Sequence, residues 1–193
     1  MSSSISILLL AAGASTRLGK PKQLLPYRNR SLLLHVAEVA TSSKASTTSV
    51  VLGFDAERMT QELSGLPLNI ILNSEWQEGI ASSIRAGIKS LPTSADGALI
   101  MLCDQSLISA EILNTIIATY VSGGKRIVAS EYAGTIGVPA LFGKEFFHEL
   151  LQLKGDKGAK EVLRCYSATC SRVPFPGGEK DIDLPDDVAH LSQ

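Results

Sequence analysis

The sequence predicts an α/β protein with a mostly parallel, mixed central sheet, and three observations predict it. First, apolar runs of strand length alternate with helix-period segments from Ile5 to Tyr120, the pattern left by strands joined through crossover helices. Second, the run from Ile5 to Ala12 is apolar except for Ser6, as a strand covered on both faces has to be. Third, the rhythm changes past Gly123, where two strand-like runs follow each other almost without a helix between them. Strands that close pair more easily antiparallel, so the sheet is expected to be mixed.

Taken in order, Ile5 to Ala12 is the first strand, and it breaks at Gly13 into a loop of small residues. Ser31 is an N-cap candidate for a helix with Leu33, Val36, Ala37 and Ala40 on one face. Thr47 to Leu52 reads as a second strand, Asp55 as the cap of a short helix through Leu63, and Pro67 to Leu72 as a third strand. A helix starting near Gly79 aligns Ile80, Ile84 and Ile88. Gly97 to Cys103 is the fourth strand, and Ser109 caps a helix carrying Ile112, Leu113, Ile116, Ile117 and Tyr120. Arg126 to Ser130 and Val138 to Phe142 are the adjacent strands. Helices near Lys144 to Leu153 and Lys157 to Tyr166, a strand near Ser171 to Val173 and a helix over Leu184 to Leu191 complete the chain.

Composition narrows the function classes. At 193 residues, 45% hydrophobic and 19% charged, the chain is expected to fold as one domain over residues 1–193. A net charge of −1 argues against general binding of nucleic acid or acidic membrane, so any anion recognition has to be local. The apolar run near the start is too short for a signal peptide or a spanning helix, which predicts a soluble, cytoplasmic protein. Cys103, Cys165 and Cys170 are odd in number and form no CxxC pair, against a disulfide framework or structural zinc. His35, His148 and His190 are widely separated and are assigned no chemistry.

The loop after the first strand has the outline of an anion site. Between Gly13 and Arg30 stand Arg17, Lys20, Lys22, Arg28 and Arg30 without a single carboxylate. Small residues let backbone N–H groups approach a polyphosphate, while Arg and Lys neutralise its oxygens. The fourth strand delivers Asp104 at its carboxyl end, where a carboxylate suits a phosphate-bound Mg²⁺. In the run EKDIDLPDD, Asp181 and Asp183 alternate about Ile182, and either one is a candidate second metal ligand. Within NSEWQEGIASSIRAG, Asn73 either reads a base or makes an Asx turn, and Gly79 to Ser83 opens a helix whose N–H groups suit an anion. LKGDKGAKEVL brings Gly155, Asp156, Lys157, Gly158 and Lys160 to a helix start, without the spacing of a Walker A motif. There is no G-x-G-x-x-G, which weighs against a dinucleotide-binding oxidoreductase.

Taken together and in order, LLLAAGASTRLGKPKQLLP, NSEWQEGIASSI, MLCDQS, GVPALF, LKGDKGAKEVL and DIDLPDD resemble the MobA-like nucleotidyltransferases, closest to the molybdenum-cofactor cytidylyltransferase branch. The resemblance implies a Rossmann-like three-layer α/β/α sandwich of the nucleotide-diphospho-sugar transferase type. It also implies transfer of CMP from CTP to the terminal phosphate of molybdopterin or the molybdenum cofactor, with release of pyrophosphate. The product would pass to a molybdoenzyme.

Carried over residue by residue, Ala11, Ala12 and Gly13 would meet the nucleotide, and Arg17 and Lys22 its phosphates. Asn73, Gly79 and Ser82 would lie near base and ribose. Asp104, helped by Asp183, would hold Mg²⁺ or Mn²⁺, making Lys22, Arg17 and Asp104 the catalytic set. Gly155, Asp156, Lys157 and Lys160 would serve the second substrate. The first loop reads AAG, where guanylyl members tend to carry AGG. Ser106 stands where a proline is usual, and Leu184 where a threonine is common. A guanylyltransferase or sugar-phosphate nucleotidyltransferase, and a non-catalytic cofactor chaperone, are the alternatives.

Overall fold

The computed structural model describes residues 3–123 and 125–180, with Arg17 described for its backbone alone. The expected helix over Leu184 to Leu191 and the candidate ligands Asp181 and Asp183 lie outside the described residues.

The first strand, β1 (Ile5–Leu10), is buried along its whole length. Its side chains alternate between two cores, as the period of a strand requires. Ile5, Ile7 and Leu9 point into one, and Leu8 and Leu10 into the other. A short hairpin of β2 (Pro26–Tyr27) and β3 (Arg30–Ser31) follows, turned through Arg28 and Asn29 at positive φ. Nothing in the hydrophobic pattern announces it.

Helix α1 (Leu32–Thr41) begins where expected, with the Ser31 hydroxyl accepting from the Leu34 N–H at 3.2 Å. Strand β4 (Thr47–Leu52) leads to α2 (Ala56–Glu62) and β5 (Asn69–Leu72). Asp55 does precede α2, yet it makes no capping hydrogen bond. The Phe54 N–H donates to the Ala12 carbonyl at 3.0 Å, and Asp55 follows at φ 49°, a left-handed geometry that aspartate tolerates.

Helix α3 (Ile80–Lys89), β6 (Gly97–Leu102) and α4 (Ala110–Ser122) match the expected segments, the last capped by Ser109 through the Ile112 N–H. The two late strands are longer than their apolar runs suggest. β7 (Ile127–Tyr132) and β8 (Thr135–Gly143) close into a hairpin on Ala133 and Gly134, both at positive φ as a tight two-residue turn demands. A 3-10 turn (Lys144–Phe146), α5 (Phe147–Leu151), α6 (Ala159–Cys165) and β9 (Ser171–Pro174) follow.

The seven-stranded sheet runs β5-β4-β1-β6-β8-β7-β9. β1 is parallel to β4 and β6, and only β8 is antiparallel to its neighbours, so the sheet is mixed as predicted. Helices α1, α2 and α4 cover one face and α3, α5 and α6 the other, which makes three layers. From β1 the chain moves outward to β4 and β5, then crosses back to place β6 on the other side. The sheet therefore reverses its winding beside β1, where α/β folds open a crevice at the carboxyl ends of their strands.

Candidate active site

At that crevice lies a cavity of about 420 Å³, walled by the loop Ala11–Thr16, by Lys22 and Gln23, and by the end of β6 through Asp104. Trp76, Gln77, Gly79, Ile80 and Ser83 close the opposite side. Asp104 is 8% exposed, and its carboxylate accepts an ion pair from Lys22 through Oδ2. Its other oxygen, Oδ1, is buried and has no hydrogen-bond partner among the described residues. A buried carboxylate oxygen left in this state is costly unless something else meets it, and a hard divalent cation is the natural complement. Among the described residues no cluster of three acidic, histidine or cysteine side chains surrounds it. A cation held here would take its remaining ligands from water and phosphate, as Mg²⁺ commonly does.

The loop is fixed from beneath by Gln23, 1% exposed, on the 3-10 turn Lys22–Leu24. The Gln23 Nε2 donates to the carbonyls of Ala11 at 2.9 Å and Gly13 at 2.7 Å. Ser15, at φ 53°, accepts the Lys22 N–H on its hydroxyl at 3.2 Å, which ties the loop to the lysine. Trp76 packs directly on Gly53. A Cβ there would lie 2.5 Å from the Trp76 Cβ and 2.8 Å from the Ala12 carbonyl oxygen, so only glycine lets loop and indole approach this closely. Phe54 meets the indole edge-on at 5.7 Å.

A second cavity of about 410 Å³ adjoins the first and shares with it Leu10, Ile80, Leu102 and Asp156. Its floor is aliphatic, from Ile84, Ile100 and Val138, and its rim carries Tyr132, Lys160 and Glu179.

The structure thus brings Ala11, Ala12, Gly13, Lys22, Gly79 and Asp104 to one cavity, and Asp156 and Lys160 to its neighbour. Arg17 lies on the 3-10 turn Thr16–Leu18, and its side chain is outside the described structure. Asn73 and Ser82 stand behind the wall. The Asn73 Nδ2 donates to Ser82 Oγ at 2.9 Å and to Ser83 Oγ at 3.1 Å, and its Oδ1 accepts the Glu75 N–H at 3.0 Å. Of the two readings that the sequence leaves open for Asn73, the Asx turn is the one observed.

The start of α3 is also occupied. The Gly155 carbonyl accepts the Ala81 N–H at 3.1 Å, and a Cβ on Gly79 would lie 2.5 Å from Asp156 Oδ1. The protein's own acceptors therefore sit where the sequence suggested an external anion. Gly155 and Lys157 line neither cavity and serve the turn itself.

Gln23 and Gln105 escape sequence reasoning. The buried Gln105 Nε2 donates to the Val138 carbonyl at 2.9 Å and the Gly178 carbonyl at 3.3 Å, pinning the turn after β9 beside Asp104. Both glutamines bond to backbone distant in sequence, so no local pattern marks them.

His35 on α1 backs the segment that follows Asp104, its ring 4.7 Å from Tyr27. Burial, then the charges of Arg28 and Arg30, hold its pKa below the ordinary value near 6.5, against smaller opposing effects of Glu38 and a hydrogen bond with the Ser106 backbone. The folded state therefore resists a proton that the unfolded chain accepts. Stability is complete above about pH 6.5 and is lost as pH falls through the interval below it. Unfolding free energies measured across that interval should fall less steeply for His35→Gln than for the parent, and identical slopes would contradict the assignment.

Residues 7–173 match the family described as MobA-like NTP transferase domain. Purine catabolism protein PucB of Bacillus subtilis (strain 168) is 27% identical, over 93% of this chain and 92% of that protein. Nicotine blue oxidoreductase of Paenarthrobacter nicotinovorans is 34% identical over 65% of this chain, and the match spans 61% of that relative's length. Among solved structures, Rv0371c from Mycobacterium tuberculosis H37Rv superposes with a TM-score of 0.86 at 30% identity, covering 99% of this chain and 98% of that one. The same protein in complex with manganese gives 0.84 at 27% identity, covering 98% of each chain. Among the described residues no helix is long and apolar enough to cross a membrane.

Proposed function

The chain belongs to the MobA-like NTP transferase family, and from that premise we propose that it moves CMP from CTP to the terminal phosphate of molybdopterin or the molybdenum cofactor, releasing pyrophosphate. It does so as one domain over residues 1–193. The observation that carries this reading is the pair of adjoining cavities. The first holds a loop of small residues, a lysine and a carboxylate with an unmet oxygen, and the second has an aliphatic floor with Lys160 on its rim. That is provision for a triphosphate beside an acceptor that is not wholly polar. The AAG loop favours the cytidylyl branch over the guanylyl one.

In the reaction an acceptor phosphate oxygen bonds to the α-phosphorus as the bond to the bridging oxygen of pyrophosphate breaks, and no covalent enzyme intermediate is required. Asp104, with Asp183 as its proposed helper, would hold Mg²⁺ or Mn²⁺, and the manganese complex of Rv0371c supports a divalent ion. A bound ion supplies charge neutralisation at the phosphates. Lys22 and Arg17 would add positive charge where negative charge builds up, and the loop would align the triphosphate. Ala11, Ala12, Gly13 and Gly79 position the nucleotide, and Asn73 and Ser82 support that wall from behind. Asp156 and Lys160, with Gly155 and Lys157 shaping their turn, would orient the acceptor.

The test is to incubate the protein with Mg²⁺, each NTP in turn and molybdopterin with or without molybdenum, and to measure pyrophosphate. Release with CTP alone is expected. Release only with GTP, or only with a sugar phosphate as acceptor, would remove the substrate assignment. A second reading, an oxidoreductase, draws on the relative named nicotine blue oxidoreductase. Consumption of a reduced nicotinamide cofactor without pyrophosphate release would favour it.

A further inference from the structure

We infer that Gln23 is a positioning residue that sets the electrostatic polarity of the Ala11–Ala14 loop by drawing the Ala11 and Gly13 carbonyls away from the cavity. The inference rests on the reading of that cavity as a triphosphate site and assigns the cause of its preference for anions.

Any loop that approaches a phosphate presents carbonyl oxygens as well as N–H groups, and the oxygens repel what the amides attract. Here three consecutive oxygens of the loop, those of Ala11, Ala12 and Gly13, are taken by protein donors. The Ala11 and Gly13 carbonyls accept from the Gln23 Nε2, and the Ala12 carbonyl accepts from the Phe54 N–H at 3.0 Å. Conversely, no carbonyl or side chain among the described residues accepts from the N–H groups of Ala12, Gly13 or Ala14, while the Ala11 N–H is used by the Val51 carbonyl at 2.9 Å. Three consecutive donors border the cavity and three consecutive acceptors are bound elsewhere. Successive N–H groups of this kind form an anion-binding concavity.

Gln23 suits the task because its amide nitrogen carries two donors, and it is buried where water cannot substitute. Its Oε1 lies 3.5 Å from the Ser15 hydroxyl, which orients the amide with its nitrogen toward the two carbonyls. Lys22 precedes it on the same 3-10 turn, so one short element fixes both the loop's polarity and a cation.

Replacing Gln23 with methionine keeps its length and removes both donors, and Gln23→Glu keeps its shape while setting oxygens against oxygens. Binding of CTP and of tripolyphosphate is followed through Trp76, the only tryptophan in the chain, which lines the cavity. Both ligands are expected to bind about 10- to 100-fold more weakly to Gln23→Met, and at least as weakly to Gln23→Glu. In turnover the KM for CTP should rise while that for the acceptor holds. In the parent protein, saturating tripolyphosphate should slow hydrogen exchange at Ala12, Gly13 and Ala14, a readout that does not depend on a variant's folding. Equal tripolyphosphate affinity in parent and Gln23→Met, or unchanged exchange at those three amides, overturns the inference while leaving the transferase reading standing. A parent that binds tripolyphosphate through those amides yet transfers no CMP supports the inference and removes the substrate assignment instead.

Discussion

Asp104→Asn is expected to lower pyrophosphate release by on the order of 10³-fold while leaving the fold intact. The side chain keeps its shape, so the end of β6 and the packing beneath it have no reason to move. What disappears is the formal charge at a position where one oxygen is engaged by Lys22 and the other is buried with no partner among the described residues. Asparagine still offers Lys22 a neutral acceptor but no longer offers a cation a hard anionic ligand. The ion pair is largely shielded from water, with side-chain exposures of 20% for Lys22 and 11% for Asp104, so weakening it should cost a measurable but modest part of the stability, about 1–3 kcal/mol. Pyrophosphate release and thermal unfolding, measured on one preparation, separate the two effects. Parent-level turnover in Asp104→Asn would remove Asp104 from the catalytic set.

A carboxylate ending an apolar strand is legible because burial along β6 leaves no other outlet for the chain than the sheet's carboxyl edge. The same logic made β1, β4, β6, α1, α3 and α4 legible, since each is long enough for its period to show. The hairpin joining β7 to β8 was harder. Tyr132 and Thr135 extend the pairing past the apolar runs, and the turn at Ala133 and Gly134 is specified by backbone dihedrals more than by hydrophobicity.

Within the site, the cationic loop was visible in its composition, but the groups that orient it were not. Gln23 and Gln105 are polar residues in polar contexts until the fold buries them against carbonyls from other segments. Asn73 shows the converse. Its residue type admits both recognition and turn formation, and only the positions of Glu75, Ser82 and Ser83 decide how its amide is used. The start of α3 likewise looked open in one dimension and is filled in three by Gly155 and Asp156.

Lys22→Met carries the second large effect, and its two readouts should move in opposite directions. Methionine preserves much of the aliphatic stem, so the cavity wall keeps its packing, while the ammonium is removed from both the phosphate site and Asp104. Turnover with CTP should fall by about 10²-fold or more, because the charge proposed to stabilise the transferring phosphoryl group has gone. Affinity for Mn²⁺ in the absence of nucleotide should rise, by about 10-fold, because Lys22 neutralises the very carboxylate that a divalent cation would use. If Asp104 holds the metal as proposed, the two cations would compete for it in the parent, and a metal-bound nucleotide would settle the competition by giving Lys22 phosphate oxygens in exchange. A merely structural lysine would lose stability without raising metal affinity. Calorimetric titration of Mn²⁺ into both proteins, beside a pyrophosphate assay, distinguishes the cases: unchanged or weaker Mn²⁺ binding by Lys22→Met would show that the ion pair does not compete with the metal.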